Sequence, residues 1–259
     1  MKIISSQANP IFKQALKIIA GKTKKYFVAE GSKLITEALE AKAVLLMLLQ
    51  PERRLVFPEL ESKTIVLSPG LMKKISTMVN PSEPVGIFSL PESPDLEKLL
   101  IQAKMLVILD RIQDPGNLGT IFRTSKSMGA DAILLLEGCC NPKNPKVIRS
   151  SMGAAFKIPV FSDLSAEKVI NLVKSAGFTC ISTSMKGKSI FEFRFPKKCA
   201  LFFGHEGQGL CEKIKNVCPL KLAIPMQGKV ESLNVAASTA ICLYEWSRQE
   251  HLNTNTHTS

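Results

Sequence analysis

Apolar positions along the chain fall into two series of alternating helix-length and strand-length segments. In the first series, the turn Asn9-Pro10 precedes Ile11, Ala15, Ile18 and Ile19, a spacing that predicts an amphipathic helix. Short apolar runs at Tyr26–Val28, Val44–Leu49, Thr64–Leu67 and Gly86–Leu90 predict strands, and Leu34–Leu39 and Leu71–Met78 predict helices. This is an α/β unit over 1–92, long enough for a core of its own. Two prolines in Pro91-Glu-Ser-Pro94-Asp break the pattern and predict a linker over 93–102. The second series, over 103–250, is more strongly apolar. Strands are predicted at Met105–Leu109, Ala132–Leu136, Ile158–Val160, Phe178–Ser182, Ala200–Phe203 and Leu220–Ile224. Helices are predicted over Gly119–Met128, Lys146–Met152, Ala166–Ala176 and Val235–Trp246. Continuous apolar strands separated by helices are those of a parallel sheet covered on both faces. The polar stretch 251–259 is expected to be a disordered tail.

Composition narrows the class. A hydrophobic content of 45% with 22% charged residues is that of a soluble globular protein. The net charge of +12 is spread over the chain: residues 1–92 carry 13 Lys/Arg against 8 Asp/Glu, and residues 93–259 carry 21 against 14. An excess in both parts fits either a basic surface or a broad footprint for a polyanion such as nucleic acid. Seven cysteines without a C-x-x-C pair, and three histidines of which two lie near the C-terminus, give no zinc spacing, and no metal is expected. No run approaches the ~20 apolar residues of a membrane span, and the N-terminus lacks a signal-peptide core. A cytoplasmic protein with reduced thiols and no membrane partner is the expectation.

Three polar, glycine-containing turns follow predicted strands. The first runs from Asp110 through Pro115-Gly-Asn-Leu-Gly119 into a helix bearing Arg123. Asn117 is a candidate cap for that helix, and a cation placed near a helix N-terminus suggests an anionic partner for Arg123. The second is Gly204-His-Glu-Gly-Gln-Gly-Leu210, whose glycine spacing matches neither a dinucleotide fingerprint, a P-loop nor a hydrolase elbow. The third is Ile224-Pro-Met226, followed by Ser232-Leu-Asn-Val-Ala-Ala237 at the start of the last helix. Small residues there allow another backbone or a ligand to come close. In a parallel sheet the first turn must lie beyond the C-terminal end of its strand, where ligands bind, and together the three suggest one site. A fourth stretch, Lys146–Ala154, adds Arg149 and reads equally as a solvated helix with a glycine cap or as an RNA contact.

The ordered motifs N-x-G-x-x-x-R (117–123), G-x-E-x-x-G-L (204–210), I-P-M (224–226) and S-L-N-V-A (232–236) resemble those of the SpoU/TrmH family of RNA ribose 2′-O-methyltransferases. R-S-S-M-G-A (149–154) fits the same pattern, and 9–13 and 27–39 resemble the family's N-terminal substrate-binding domain. The resemblance implies a parallel sheet flanked by helices with a C-terminal trefoil knot, a smaller α/β RNA-binding domain before it, and a homodimer formed through the knotted domain. It implies S-adenosylmethionine as cofactor, with Gly204, Ile224, Met226 and Leu233 forming its pocket. It also implies Arg123 as catalytic residue, Asn117 and Asn234 orienting Arg123 or the ribose, Glu206 pairing with Arg123 or shaping its loop, and Ser232 holding target or cofactor. The basic N-terminal part favours a structured RNA, rRNA before tRNA, with Arg149, Lys24 and Lys25 as candidate contacts. Two other readings use the same fold: a non-catalytic RNA-binding or ribosome-assembly protein, and a base methyltransferase. The complete polar set of Asn117, Arg123, Glu206, Ser232 and Asn234 weighs against the first.

Overall fold

The structure is a computed structural model that describes residues 2–20, 25–51, 56–76, 82–89, 94–227 and 232–255. Lys24 lies outside the described residues. The chain divides into two compact units, Met1–Glu92 with Lys143–Lys157, and Ser93–Pro142 with Ile158–Ser259.

The first unit holds β1 (Lys2–Ile4), α1 (Pro10–Ile19), β2 (Phe27–Glu30), α2 (Ser32–Glu40), β3 (Val44–Pro51), β4 (Thr64–Leu67), α3 (Pro69–Ile75) and β5 (Val85–Ser89). Its sheet has the order β1-β4-β3-β5-β2; β5 runs antiparallel to β3 and β2, and the other pairs are parallel. Asn9 caps α1 by accepting from the Ile11 N–H, and Pro10 starts the first turn, where no amide partner is needed. Phe12, Ala15 and Ile18 of α1 pack with Leu71, Met72 and Ile75 of α3 onto Met47, Leu49, Leu67 and Ile87 of the strands.

In the second unit α4 (Leu96–Gln102) leads into β6 (Met105–Leu109), α5 (Pro115–Ser127) and β7 (Ala132–Leu136). The expected linker over 93–102 is therefore largely helix: Asp95 accepts from the N–H groups of Glu97 and Lys98, and Leu100 is buried. Two nearby prolines masked a short, well-capped helix. After β7 the chain enters α6 (Pro145–Ser150), which packs with the first unit. Phe156 lies 4.8 Å from the Phe27 ring, and Lys157 pairs with Glu37. The expected contiguous second domain over 103–250 is thus interrupted by 143–157. Arg149, on α6, belongs by packing to the first unit.

The chain continues through β8 (Val160–Leu164), α7 (Ala166–Ser175), β9 (Thr179–Ser189), β10 (Cys199–Phe203), α8 (Glu212–Val217), β11 (Leu220–Ala223) and α9 (Val235–Asn255). The six strands form a wholly parallel sheet in the order β11-β9-β10-β6-β7-β8. Alternate strand residues point to opposite faces. Leu106, Ile108, Leu134, Ala200 and Phe202 meet α4, α7 and α8 on one side, and α5 and α9 pack against each other on the other. Both faces are covered, which explains the unbroken apolar runs. β8 starts two residues later than predicted, and β9 runs seven residues beyond the predicted strand end, to Ser189. The helix α9 extends through Asn255, so 251–255 are helical instead of a disordered tail. Among the described residues no helix is long and apolar enough to cross a membrane.

Phe202 is fully buried at the centre of the sheet. Phe202→Ala is expected to reduce the unfolding free energy of this unit by about 3–5 kcal/mol, read from its urea transition by circular dichroism.

Candidate active site

The site lies at the C-terminal ends of β6, β9, β10 and β11, where the parallel sheet presents its loops. A cavity of about 400 Å³ opens there, within the size range of small-molecule sites. Its walls are apolar at Phe203, Leu210, Leu222, Ile224, Leu233 and Val235, with hydroxyls at Thr183, Ser184, Ser232 and Ser238. The predicted residues Gly204, Glu206, Ile224, Met226, Ser232 and Leu233 all line it. Gly204 must be glycine: a Cβ there would stand 2.3 Å from Gly209 C and Leu210 N. The loop folds back on its own start at that point.

A chain of hydrogen bonds ties the three predicted turns together. Asn234 caps α9, its Oδ1 accepting from the N–H groups of Ala236 at 2.8 Å and Ala237 at 3.4 Å. That leaves its amide nitrogen to donate to Asn117 Oδ1 at 2.9 Å. Asn117 Nδ2 donates in turn to Glu206 Oε1 at 2.8 Å. Asn117 is not the helix cap expected from the sequence. Asp114 takes that place by accepting from the Asn117 N–H at 2.8 Å. Starting α5 at Pro115 frees the Asn117 side chain to bridge the other two loops.

The earlier start of α5 also moves Arg123 to its third turn, away from the N-terminal dipole. Six residues on from Asn117, it projects about 240° around the helix from that side chain. It is exposed and is absent from the cavity lining. Of the two roles expected for Glu206, pairing with Arg123 or shaping its loop, its bond from Asn117 fits the second. Of the two alanines read as clearance, Ala236 is buried and Ala237 is exposed. Lys25 is exposed, with its Nζ 5.6 Å from the Tyr26 ring centre.

Four contributions were not read from the sequence. Thr183, Ser184 and Met185 line the cavity because β9 continues past the predicted end at Ser182. Asp110, 3% exposed, accepts from the Cys211 N–H at 2.8 Å and from Arg111 Nε at 2.9 Å. Arg111 adopts φ 57°, which turns its guanidinium onto Gly209 O at 3.0 Å and Gln208 Oε1 at 2.9 Å. Its side chain crosses Gly138, where an added Cβ would come within 2.9 Å of Arg111 Cγ. The Asp110 carboxylate raises the Arg111 pKa further, chiefly through their hydrogen bond. The signal available in the sequence was a charged pair placed directly after an apolar strand. The fourth is the role of His205, a lone histidine that the sequence offers only as a weak catalytic candidate: its Nδ1 accepts from the N–H groups of Gly207 and Gln208.

The seven cysteines are free thiols. Burial pushes Cys139 and Cys140, behind the first loop, up to about 11 each, so both remain protonated at neutral pH. Among the described residues no group of three His, Cys, Asp or Glu side chains could hold a metal ion.

Arg111→Gly removes the guanidinium while keeping the left-handed backbone accessible. It is expected to lower stability by about 1–3 kcal/mol, because Asp110 stays buried with one amide partner; thermal unfolding measures it.

Comparison with known proteins places this geometry. Residues 104–244 match the family described as SpoU rRNA Methylase family. The 23S rRNA (guanosine(2553)-2′-O)-methyltransferase RlmP of Bacillus subtilis is 31% identical over 250 residues, covering 94% of this chain and 98% of that protein. The AdoMet-bound rRNA methyltransferase from Sinorhizobium meliloti superposes with a TM-score of 0.84 at 30% identity, over 96% of this chain and 98% of that one. The SpoU methyltransferase AviRb from Streptomyces viridochromogenes, in complex with AdoMet, gives 0.83 at 27% identity over 93% and 98%. The three loops, the parallel sheet behind them and these matches along nearly the whole chain lead to one assignment: the chain belongs to the SpoU rRNA methylase family.

Proposed function

We propose that this chain, a methyltransferase by family, transfers a methyl group from S-adenosylmethionine to the ribose 2′-hydroxyl of a nucleotide in rRNA. The observation that carries this reading is a cavity lined by the second and third loops, to which Asn117 of the first loop is tied through Glu206 and Asn234. The lining suits the cofactor: apolar walls for adenosine, and hydroxyls and loop backbone for its polar ends. Gly204, Ile224, Met226 and Leu233 would form those walls, with Thr183 and Ser184 beside them. Bound there, S-adenosylmethionine supplies an electrophilic methyl group.

The residues of the chain supply position and charge. Holding a ribose hydroxyl in line with the donor removes much of the entropic barrier. The Arg123 guanidinium serves as a hydrogen-bond donor toward an RNA phosphate or the oxyanion developing on the ribose oxygen. Asn117, Glu206 and Asn234 fix the loops around the target nucleotide, and Ser232 contributes a hydroxyl at the cavity. The relatives named for 23S rRNA favour rRNA over tRNA, and a ribosomal substrate is consistent with the net charge of +12. Lys24, Lys25 and Arg149 are proposed RNA contacts, and the cytoplasm the compartment.

A homodimer completes the reading. Phe191 is 79% exposed and Tyr244 62% exposed, and with Ile190, Ala240 and Ile241 they form an apolar groove. Such a contiguous patch suits an interface better than solvent. The trefoil knot is also proposed. It is supported by the strand order and by backbone approaches that only glycine tolerates, at Gly204 and at Gly187, where a Cβ would lie 2.5 Å from Lys221 O.

Incubation with methyl-labelled S-adenosylmethionine and unmodified rRNA, followed by nucleoside mass spectrometry, should yield a 2′-O-methylated nucleoside. A methylated base or no transfer would refute the reading. Arg123→Ala should lower kcat by roughly 10²–10³-fold while calorimetry finds cofactor affinity within about two-fold. Tyr244→Asp should convert the dimer to monomer in light scattering, at a cost to the fold of roughly 0.5 kcal/mol or less for an exposed side chain.

A further inference from the structure

His205 stands in the second loop, between Gly204 at the cavity floor and Glu206, which holds Asn117. It accepts three backbone hydrogen bonds of its own. Its ring Nδ1 accepts from the Gly207 N–H at 3.0 Å and from the Gln208 N–H at 3.2 Å. Its carbonyl accepts from the Gly209 N–H at 2.8 Å. The loop tip is therefore wound around one imidazole nitrogen. Two backbone donors converging on Nδ1 require a lone pair there, so the closed loop selects the tautomer protonated at Nε2. A proton on Nδ1 would turn the acceptor into a donor facing two donors.

We infer that His205 is a positioning residue whose neutral imidazole closes the cofactor loop, so that protonation of His205 opens the loop and weakens cofactor binding. The inference rests on the function proposed above and adds a control to that site. Imidazole is the side chain whose ordinary titration falls between pH 5 and 8. The charged groups about it are Glu206, adjacent in the loop, and Arg111 with Asp110 at the end of β6. Lys186 follows the β9 residues that line the cavity, and Lys221 lies on β11. Among the described residues the α9 side contributes Ser232, Leu233, Val235 and Ser238, which carry no charge. Arg111 fixes the far side of the tip by its bonds to Gln208 Oε1 and Gly209 O, and it keeps its charge throughout this range.

The sign follows from linkage. The closed loop binds cofactor and excludes the proton, so affinity rises with pH, and binding near the imidazole midpoint releases a proton. Asparagine offers a test, because its Oδ1 occupies the place of Nδ1, accepts the same two N–H groups and does not titrate. S-Adenosylmethionine is titrated calorimetrically into the full chain from about pH 5.5 to pH 8, in two buffers of different ionisation enthalpy. Wild type should lose roughly ten-fold in affinity toward the acid end and release a proton on binding. His205→Asn should bind like wild type at the alkaline end, without the acid loss and without the proton release attributable to His205. His205→Leu should bind roughly ten-fold more weakly throughout. Amide exchange at Gly207 and Gln208, measured without cofactor, should show protection lost in His205→Leu and restored in His205→Asn. The inference is overturned if His205→Asn keeps the wild-type pH profile, or if His205→Leu keeps both affinity and amide protection. Failure of wild type to bind the cofactor, with the exchange pattern as described, would strike the proposed function and leave the loop closure standing.

Discussion

The site depends on one hydrogen-bonded chain, Glu206 to Asn117 to Asn234. Each member is already committed elsewhere. Asn234 is held by the first amides of α9, and Asn117 stands in the first turn of a helix capped by Asp114. Glu206 rides a loop clamped by Arg111 and wound about His205. The bridge joins three anchored ends, so little side-chain entropy remains to be lost when it forms. Its bonds are exposed and individually worth about 1 kcal/mol. Their effect is geometric: the loop bearing Asn117 is held against the two loops that line the cavity.

Behind the bridge lies the parallel sheet. Six strands aligned in the same direction put the ends of β6, β9, β10 and β11 on one edge, and helices on both faces leave that edge as the place where loops can gather. The buried carboxylate of Asp110 links sheet to site. It takes the Cys211 amide just past the second loop and orients Arg111 over that loop. A charge so deep is tolerated because it is paired and hydrogen-bonded. Arg123 is the counterpart, exposed and outside this network, which suits a group that meets a partner arriving from solution.

The sequence was most legible where the physics is local. Strands β4, β6 and β7 fall at their predicted residues, because short, mostly apolar runs have no competing solution between turn signals. Helix starts were less legible. The cap of α5 is Asp114 and not Asn117, since either side chain can accept an amide and only packing decides between them. The short helix α4 was hidden by prolines that in fact precede its cap. The end of β9 was missed because Thr183–Ser189 is polar; its pairing partner, β11, comes some thirty residues later.

Sequence alone determined the parallel α/β class and the glycine-containing loops after its strands, while Gly204, Ile224, Met226 and Leu233, which line the cavity, were implied by the family resemblance of those loops. The class and the loops follow from apolar runs and from turn-forming residue types, both readable over a few positions. Tertiary structure decided who pairs with whom. It gave Glu206 to Asn117 instead of Arg123, brought Asp110 and Arg111 to the second loop, and sent residues 143–157 to pack with the first unit. Hydrogen bonds and packing between residues about a hundred positions apart leave no periodic trace in the chain; they exist only once the sheet has set the distances between its loops.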